Sequence, residues 1–315
     1  MKETLRVFIV GMIMGAAEVV PGVSGGTIAF VTGIYERLVS AIQRFNPMLV
    51  RDVVRDGFLT TWKNVDGNFL LSLFAGMVIS ILSLASGVSY LLDQYPIFIW
   101  SFFFGLVIAS VVLVKKQISR LGWDIGLIVL IGALFGLMVS NLVPIELEPA
   151  PVYLFLGGAV AVCAWILPGL SGSFILLMLG LYRFVLEAIK DLDLMVLLVL
   201  GLGCGIGIVS FAGLLKRLLQ FYHDEVLALL TGFMLGSLVK LWPWQHTLSY
   251  QLKPDGSQIP LLQDPVSPFA YTGITGHSPE LAIALIGLLM GCIGVLGLDL
   301  LARMESKDTS KSDNH

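Results

Sequence analysis

Two apolar stretches, residues 5–42 and 152–190, are each about twice the length needed to cross a bilayer, and each is cut near its middle by Pro-Gly-x-Ser-Gly. The clusters read Pro21-Gly22-Val23-Ser24-Gly25 and Pro168-Gly169-Leu170-Ser171-Gly172. Six shorter apolar runs, 69–93, 96–114, 123–144, 194–215, 225–242 and 280–302, occupy much of the rest. Continuous runs of this kind, rather than alternating strands of about ten residues, point to a helical membrane protein. Composition agrees. Of 315 residues, 57% are hydrophobic and 13% charged, too little charge to cover a water-facing surface, so a soluble enzyme is excluded. Intrinsic disorder is excluded on the same ground, and a net charge of −3 gives no case for a nucleic-acid partner. Cys163, Cys204 and Cys292 lie in apolar stretches as small core residues, and the four histidines have no ligand spacing. No metal and no cofactor is expected.

The two long stretches are copies of one another. Residues 7–42 align without gaps on 154–189 at an offset of 147, with 12 of 36 positions identical, including Gly11, Ala17, Gly33, Tyr35, Ala41 and Ile42. Residues 76–110 align on 203–237 at an offset of 127, matching Gly76, Ser83, Tyr95 and Gly105, and Ile131-Gly132 and Gly136 match Ile286-Gly287 and Gly291. The chain therefore reads as two repeat halves, 1–150 and 151–315, each with one long block and three short ones. The first half carries an extra segment at 43–66, which mixes Arg and Asp with Phe, Leu, Val and Trp and reads as interfacial helix. The second carries an extra segment at 243–279, rich in Pro, Gly and Ser, which reads as an external loop.

Charge then sets the topology. If 5–42 and 152–190 are hairpins that return to the side they started from, fifteen of the nineteen Lys and Arg share one face and Arg183, Lys190, Lys240 and Lys253 share the other. If both blocks cross, the split is 7 to 12, against the positive-inside rule. The hairpin arrangement is expected, with each break favouring a re-entrant form. Both termini are then cytoplasmic, and an odd number of crossings per half inverts one half against the other. The expected fold is an all-α, polytopic inverted repeat, each half holding one re-entrant hairpin and three transmembrane helices. Secondary transporters commonly share this plan, with the site at the midplane where broken helices meet.

The hairpin tips carry the candidate site. Pro21, Gly22, Pro168 and Gly169 form the turns, because proline breaks the first arm and glycine permits close backbone approach. The second arms then start with unpaired backbone N–H groups flanked by hydroxyls, at Ser24-Gly25-Gly26-Thr27 and Ser171-Gly172-Ser173. That donor set suits an anion, particularly a phosphate. The bland alternative, a tight turn satisfied by its own hydroxyls, is weakened because the cluster recurs at equivalent positions. Glu18, three residues before Pro21, falls deep in the membrane, where a carboxylate defaults to proton coupling or gating. Its counterpart is Trp165, so this role belongs to one half only. Arg37 and Arg183 end the two hairpins and are candidates to attract a lipid phosphate; Arg183, 15 residues past Pro168, falls about 22 Å along a continuous helix, near the outer surface.

The stretches GAAEVVPGVSGGTIAFVTGIYERL and ILPGLSGSFILLMLGLY resemble the PopT family of bacterial membrane proteins, formerly a domain of unknown function, and the resemblance extends over essentially the whole chain. It implies a flippase that returns undecaprenyl phosphate, the polyprenyl carrier of peptidoglycan synthesis, across the bacterial inner membrane. Coupling to protons or another ion is expected from the depth of Glu18. The alternatives are a transporter of a small anion and an enzyme. Undecaprenyl pyrophosphate phosphatases have a similar first motif, but they carry a second Glu where this chain has Met14, a His where it has Thr27, and an Arg where it has Gly172. Without those groups phosphoanhydride hydrolysis lacks its base and its charge stabiliser. Oligomeric state is left open.

Overall fold

The computed structural model describes residues 2–18, 24–46, 48–120, 122–142, 145, 147–252 and 258–312, with backbone alone at 2, 85, 86, 89, 93, 251–252, 258–262, 298 and 301–312. Pro21 and Gly22 of the first tip, and Lys253, lie outside the described residues.

Each long block is a helix, a break, and then two short helices. In the first half these are α1 (Lys2–Glu18), α2 (Gly25–Val31) and α3 (Tyr35–Gln43); in the second, α9 (Pro151–Ile166), α10 (Gly172–Met178) and α11 (Tyr182–Asp191). Between them lie α4 (Met48–Asp56), α5 (Phe58–Asn64), α6 (Gly67–Gln94), α7 (Pro96–Lys115) and α8 (Trp123–Ser140). After α11 come α12 (Leu194–Phe221), α13 (His223–Ser237), α14 (Pro268–Thr275) and α15 (Leu281–Ser312). Among the described residues, four helices are long and apolar enough to span a membrane: Gly67–Leu84 within α6, then α7, α8 and α12. The apolar parts of α9 and α15 are shorter, at Pro151–Ile166 and Leu281–Gly297.

Both second arms break once more than the sequence suggests. Gly33 and Gly180, equivalent by the repeat, adopt φ of 73° and 72°, a left-handed conformation open to glycine at little cost. At each, the glycine N–H bonds back to the carbonyl of Phe30 or Leu177, and the next residue to that of Ala29 or Leu176. The axis turns by 109° between α10 and α11. This corrects the placement of Arg183 along a continuous helix: it sits on a separate, strongly amphipathic helix beyond the turn.

Four helix pairs form the body: α1 with α6, α9 with α12, α7 with α15, and α8 with α13. Replacing each helix by its repeat counterpart reproduces the same four pairs. The equivalence reaches single atoms. A Cβ on Gly76 would stand 2.2 Å from the Phe8 carbonyl oxygen, and one on Gly203 would stand 2.1 Å from that of Phe155, so glycine lets both backbones touch. α7 is the most buried span and α12 the most exposed. The symmetry fails at α3, which packs on α12, while its counterpart α11 makes no comparable contact with α6 among the described residues.

The two extra segments have more structure than expected. Residues 48–64 form α4 and α5, two short helices separated at Gly57, where φ is 83°. The segment at 243–279 is no plain loop. It holds an antiparallel hairpin, β1 (Gln245–Leu252) against β2 (Gln258–Pro265) in a register from Gln245↔Pro265 to Leu252↔Gln258, and then α14. The fold is therefore predominantly helical rather than strictly all-α. Its strands are short, and Pro260 and Pro265 within β2 obscure the strand pattern in the sequence.

Candidate functional site

Serine sets the local geometry of each tip, joined at the second by proline. Leu167, which precedes Pro168, is extended at φ −71° and ψ 124°, and so ends α9 as a residue before proline is inclined to do. Ser24 and Ser171 then cap α2 and α10 in matching conformations, φ −112° and −109°. The Ser24 Oγ accepts the Gly26 N–H at 3.1 Å, whereas the Ser171 Oγ accepts that of Phe174 at 3.4 Å and lies 3.0 Å from the Ser173 hydroxyl. Both capping serines are buried.

The two tips meet. The Ser24 hydroxyl lies 3.4 Å from the carbonyl oxygens of both Trp165 and Leu167, available as a donor to either. The Gly169 N–H donates to the Thr27 hydroxyl at 3.0 Å. Gly26 makes this approach close: a Cβ there would lie 2.6 Å from the Ile166 carbonyl oxygen and 2.9 Å from that of Trp165. Gly172 fits against the α9 backbone, with the Ala161 oxygen 2.6 Å from where its Cβ would be.

Glu18 is the asymmetric member. Its Oε1 accepts the Gly25 N–H at 2.7 Å, at the start of α2, and the Trp165 side chain lies close to the same carboxyl group. The repeat counterparts Glu18 and Trp165 are thus neighbours. The first turn of α2 has little unmet donor capacity: Gly25 is bound by Glu18, Gly26 by the Ser24 side chain, and Thr27 by the Ser24 carbonyl at 3.0 Å. The cradle is already occupied, by the chain's own Glu18 carboxyl group.

The two arginines stand apart from the tips. Arg37 is held by Glu3 and Asp66, each at 2.6 Å, and lies over the Phe69 ring. Arg183 pairs with Glu187 one turn along α11, at 2.9 Å. Each has its charge matched by carboxylate. Two features escaped the sequence reading. Half-buried Lys240 places its ammonium 5.4 Å from the centre of the Phe174 ring, beside the second tip. Phe74, on α6, stacks on Trp165 at 6.5 Å and 18°. A lone lysine closing an apolar run was the one available signal for the first; the second joins residues 91 positions apart and leaves no local pattern.

The family described as undecaprenyl phosphate translocase-like matches residues 14–259. A polyprenyl-phosphate transporter of Vibrio cholerae serotype O1 is 45% identical over 300 residues, covering 94% of this chain and 96% of the relative. A polyprenyl-phosphate transporter of Staphylococcus aureus is 30% identical over 263 residues, covering 74% of this chain and 84% of the relative. No solved structure matches the chain. With the family match spanning both tips and most of the helices around them, this chain belongs to the undecaprenyl phosphate translocase-like family.

Proposed function

We propose that this protein carries a polyprenyl phosphate across the bacterial inner membrane, with undecaprenyl phosphate as cargo and its two halves inverted about the midplane. The observation that carries the proposal is the meeting of the two tips, with Glu18 on the first N–H of α2. A polyprenyl tail stays in lipid while the phosphate alone crosses, so the protein needs only a small donor-rich place for it between the leaflets. Ser24, Gly25, Gly26 and Thr27 supply it from one tip, and Ser171, Gly172 and Ser173 from the other. The symmetric helix pairing supports the duplication, the charge count supports its inversion, and the names of both relatives support the cargo.

Glu18 makes the step an exchange. Two anions cannot share the Gly25 N–H in a low dielectric, so the phosphate takes it when the carboxylate accepts a proton and leaves. Binding of the phosphate is thereby linked to proton uptake. The chemistry ends at binding and release: both relatives are named as transporters, and no phosphate ester bond is broken.

Reconstitution with labelled undecaprenyl phosphate tests the proposal. Ser24→Ala and Ser171→Ala each remove a hydroxyl from the phosphate's surroundings, and each is expected to slow transfer by about tenfold or more. Wild-type vesicles that move no lipid phosphate would refute the function. Normal rates in both serine variants would refute the site.

A further inference from the structure

The packing of α3 on α12, which has no counterpart in the other half, leaves two adjoining cavities along α12. One, of about 310 Å³, is lined by Gln43, Asn46 and Arg217 with Val209 at its edge. The other, of about 580 Å³, runs between α6 and α12 and is lined by Phe45, Trp62, Phe74 and Ile208, again with Val209. They meet at Val209, so a polar cavity adjoins a larger apolar one, and together they make a slot of mixed character.

The polar end offers donors. Gln43 spends its amide oxygen on the Lys216 ammonium at 3.2 Å, and Asn46 spends its own on the Met48 N–H at 2.9 Å. Each therefore has its NH₂ group left to give. Arg217 is exposed and has no ion pair among the described residues, and no carboxylate lines the cavity. The duplication does not account for this charge, since the repeat counterpart of Arg217 is Tyr90. A guanidinium among amide donors, opening onto an apolar groove, complements an anionic head on an apolar tail. The groove's far end adjoins the tips, because Phe74 stacks on Trp165 beside Glu18.

We propose that this slot is a docking site for the polyprenyl phosphate itself, head at Arg217 and Gln43 and tail between α6 and α12, a resting place on one side of the tips. The choice of cargo rests on the transport function proposed above; the slot's chemistry does not.

Binding of farnesyl phosphate to the full chain in detergent tests the slot directly, with inorganic phosphate as a tail-less comparison and dioleoyl phosphatidic acid as a two-tailed one. Arg217→Gln removes the charge from an exposed position, and Ile208→Trp fills the groove. Each is expected to weaken farnesyl phosphate binding about tenfold, while Arg51→Gln, a change at an exposed cation outside the slot, leaves it unchanged. In vesicles, Arg217→Gln should raise the half-saturating concentration of polyprenyl phosphate with the maximal rate kept. Equal binding by wild type and both slot variants overturns the proposal, as does an equal loss in Arg51→Gln. Tighter binding of phosphatidic acid than of farnesyl phosphate overturns the assigned occupant. Retained slot-dependent binding with no transport by wild type would condemn the transport function and leave the slot standing.

Discussion

At Gly26 an added methyl group would press on two carbonyl oxygens at once, those of Ile166 and Trp165, and both belong to backbone that cannot swing aside. Gly26→Ala is expected to cost about 1–3 kcal/mol and to part the tips, read as a lower melting temperature in detergent together with slower lipid transfer. Glu18→Gln is the complementary change. The amide oxygen still accepts the Gly25 N–H, so the fold should persist, but the side chain no longer takes up a proton. Transfer by this variant should lose its dependence on pH, and a pH profile identical to wild type would remove Glu18 from the coupling. At this scale the serines, glycines and Glu18 were legible, because capping, tight turns and a deep carboxylate are demands made by residue type. Their partners were not. The carbonyls of Trp165 and Leu167 belong to residues more than 140 positions away, and any residue supplies a carbonyl.

At the scale of elements, close backbone packing separates glycines that look alike along α12. Gly203 faces the Phe155 carbonyl, whereas nothing lies within 4 Å of a Cβ placed on Gly201. Gly203→Ala should therefore destabilise by about 1–3 kcal/mol. Gly201→Ala should be neutral or stabilise by up to about 1 kcal/mol, through helix propensity alone. Thermal unfolding of the two variants side by side checks both.

A second element-scale contact responds to pH. His223, at the start of α13, lies 3.2 Å from Glu36 on α3 and 3.3 Å from Asp224. Desolvation lowers its pKa, but hydrogen bonds from Asp224 and Glu36 outweigh that and hold it above the ordinary value of 6.5. Asp224 is held below its own ordinary value, chiefly by its bond to His223, with help from the N–H groups of Arg120 and Ser119. Arg120 itself pairs with Glu225 and Asp124. A raised histidine pKa means the tie between α3 and α13 is fully present below about pH 6.5 and fades as pH rises through the folded value. Protection factors over Tyr35–Gln43, which remove the intrinsic pH dependence of amide exchange, should fall across that rise, and His223→Ala should abolish the fall. Helix boundaries of α6, α7, α8 and α12 follow the apolar runs closely. The second break in each long block was missed because Gly33 and Gly180 sit inside unbroken apolar sequence, where a lone glycine is ordinarily tolerated.

Across the whole molecule the open matter is orientation, for which the proposed inversion of the halves makes a definite prediction. Single cysteines at Val54 on α4, Leu192 after α11 and Phe269 on α14 would occupy positions that are 82%, 72% and 90% exposed. A membrane-impermeant maleimide applied to intact cells should label Leu192→Cys and Phe269→Cys, and should reach Val54→Cys only after the membrane is opened. Labelling of Val54→Cys and Phe269→Cys from the same side would end the inverted reading.

The class and the break at Pro168-Gly169 were legible in the amino-acid sequence alone, as was the internal likeness of the two long blocks, because apolar length and the backbone limits of proline and glycine act within a few residues. Tertiary structure decided what those pieces do to one another. It seated Glu18 on the first donor of α2, matched Arg37 and Arg183 with carboxylates, and left Arg217 without an ion pair among the described residues, at the end of an apolar groove. Such outcomes depend on which buried groups find partners across distant segments. The energy of a polar group in a low dielectric is set by those partners and not by its neighbours along the chain.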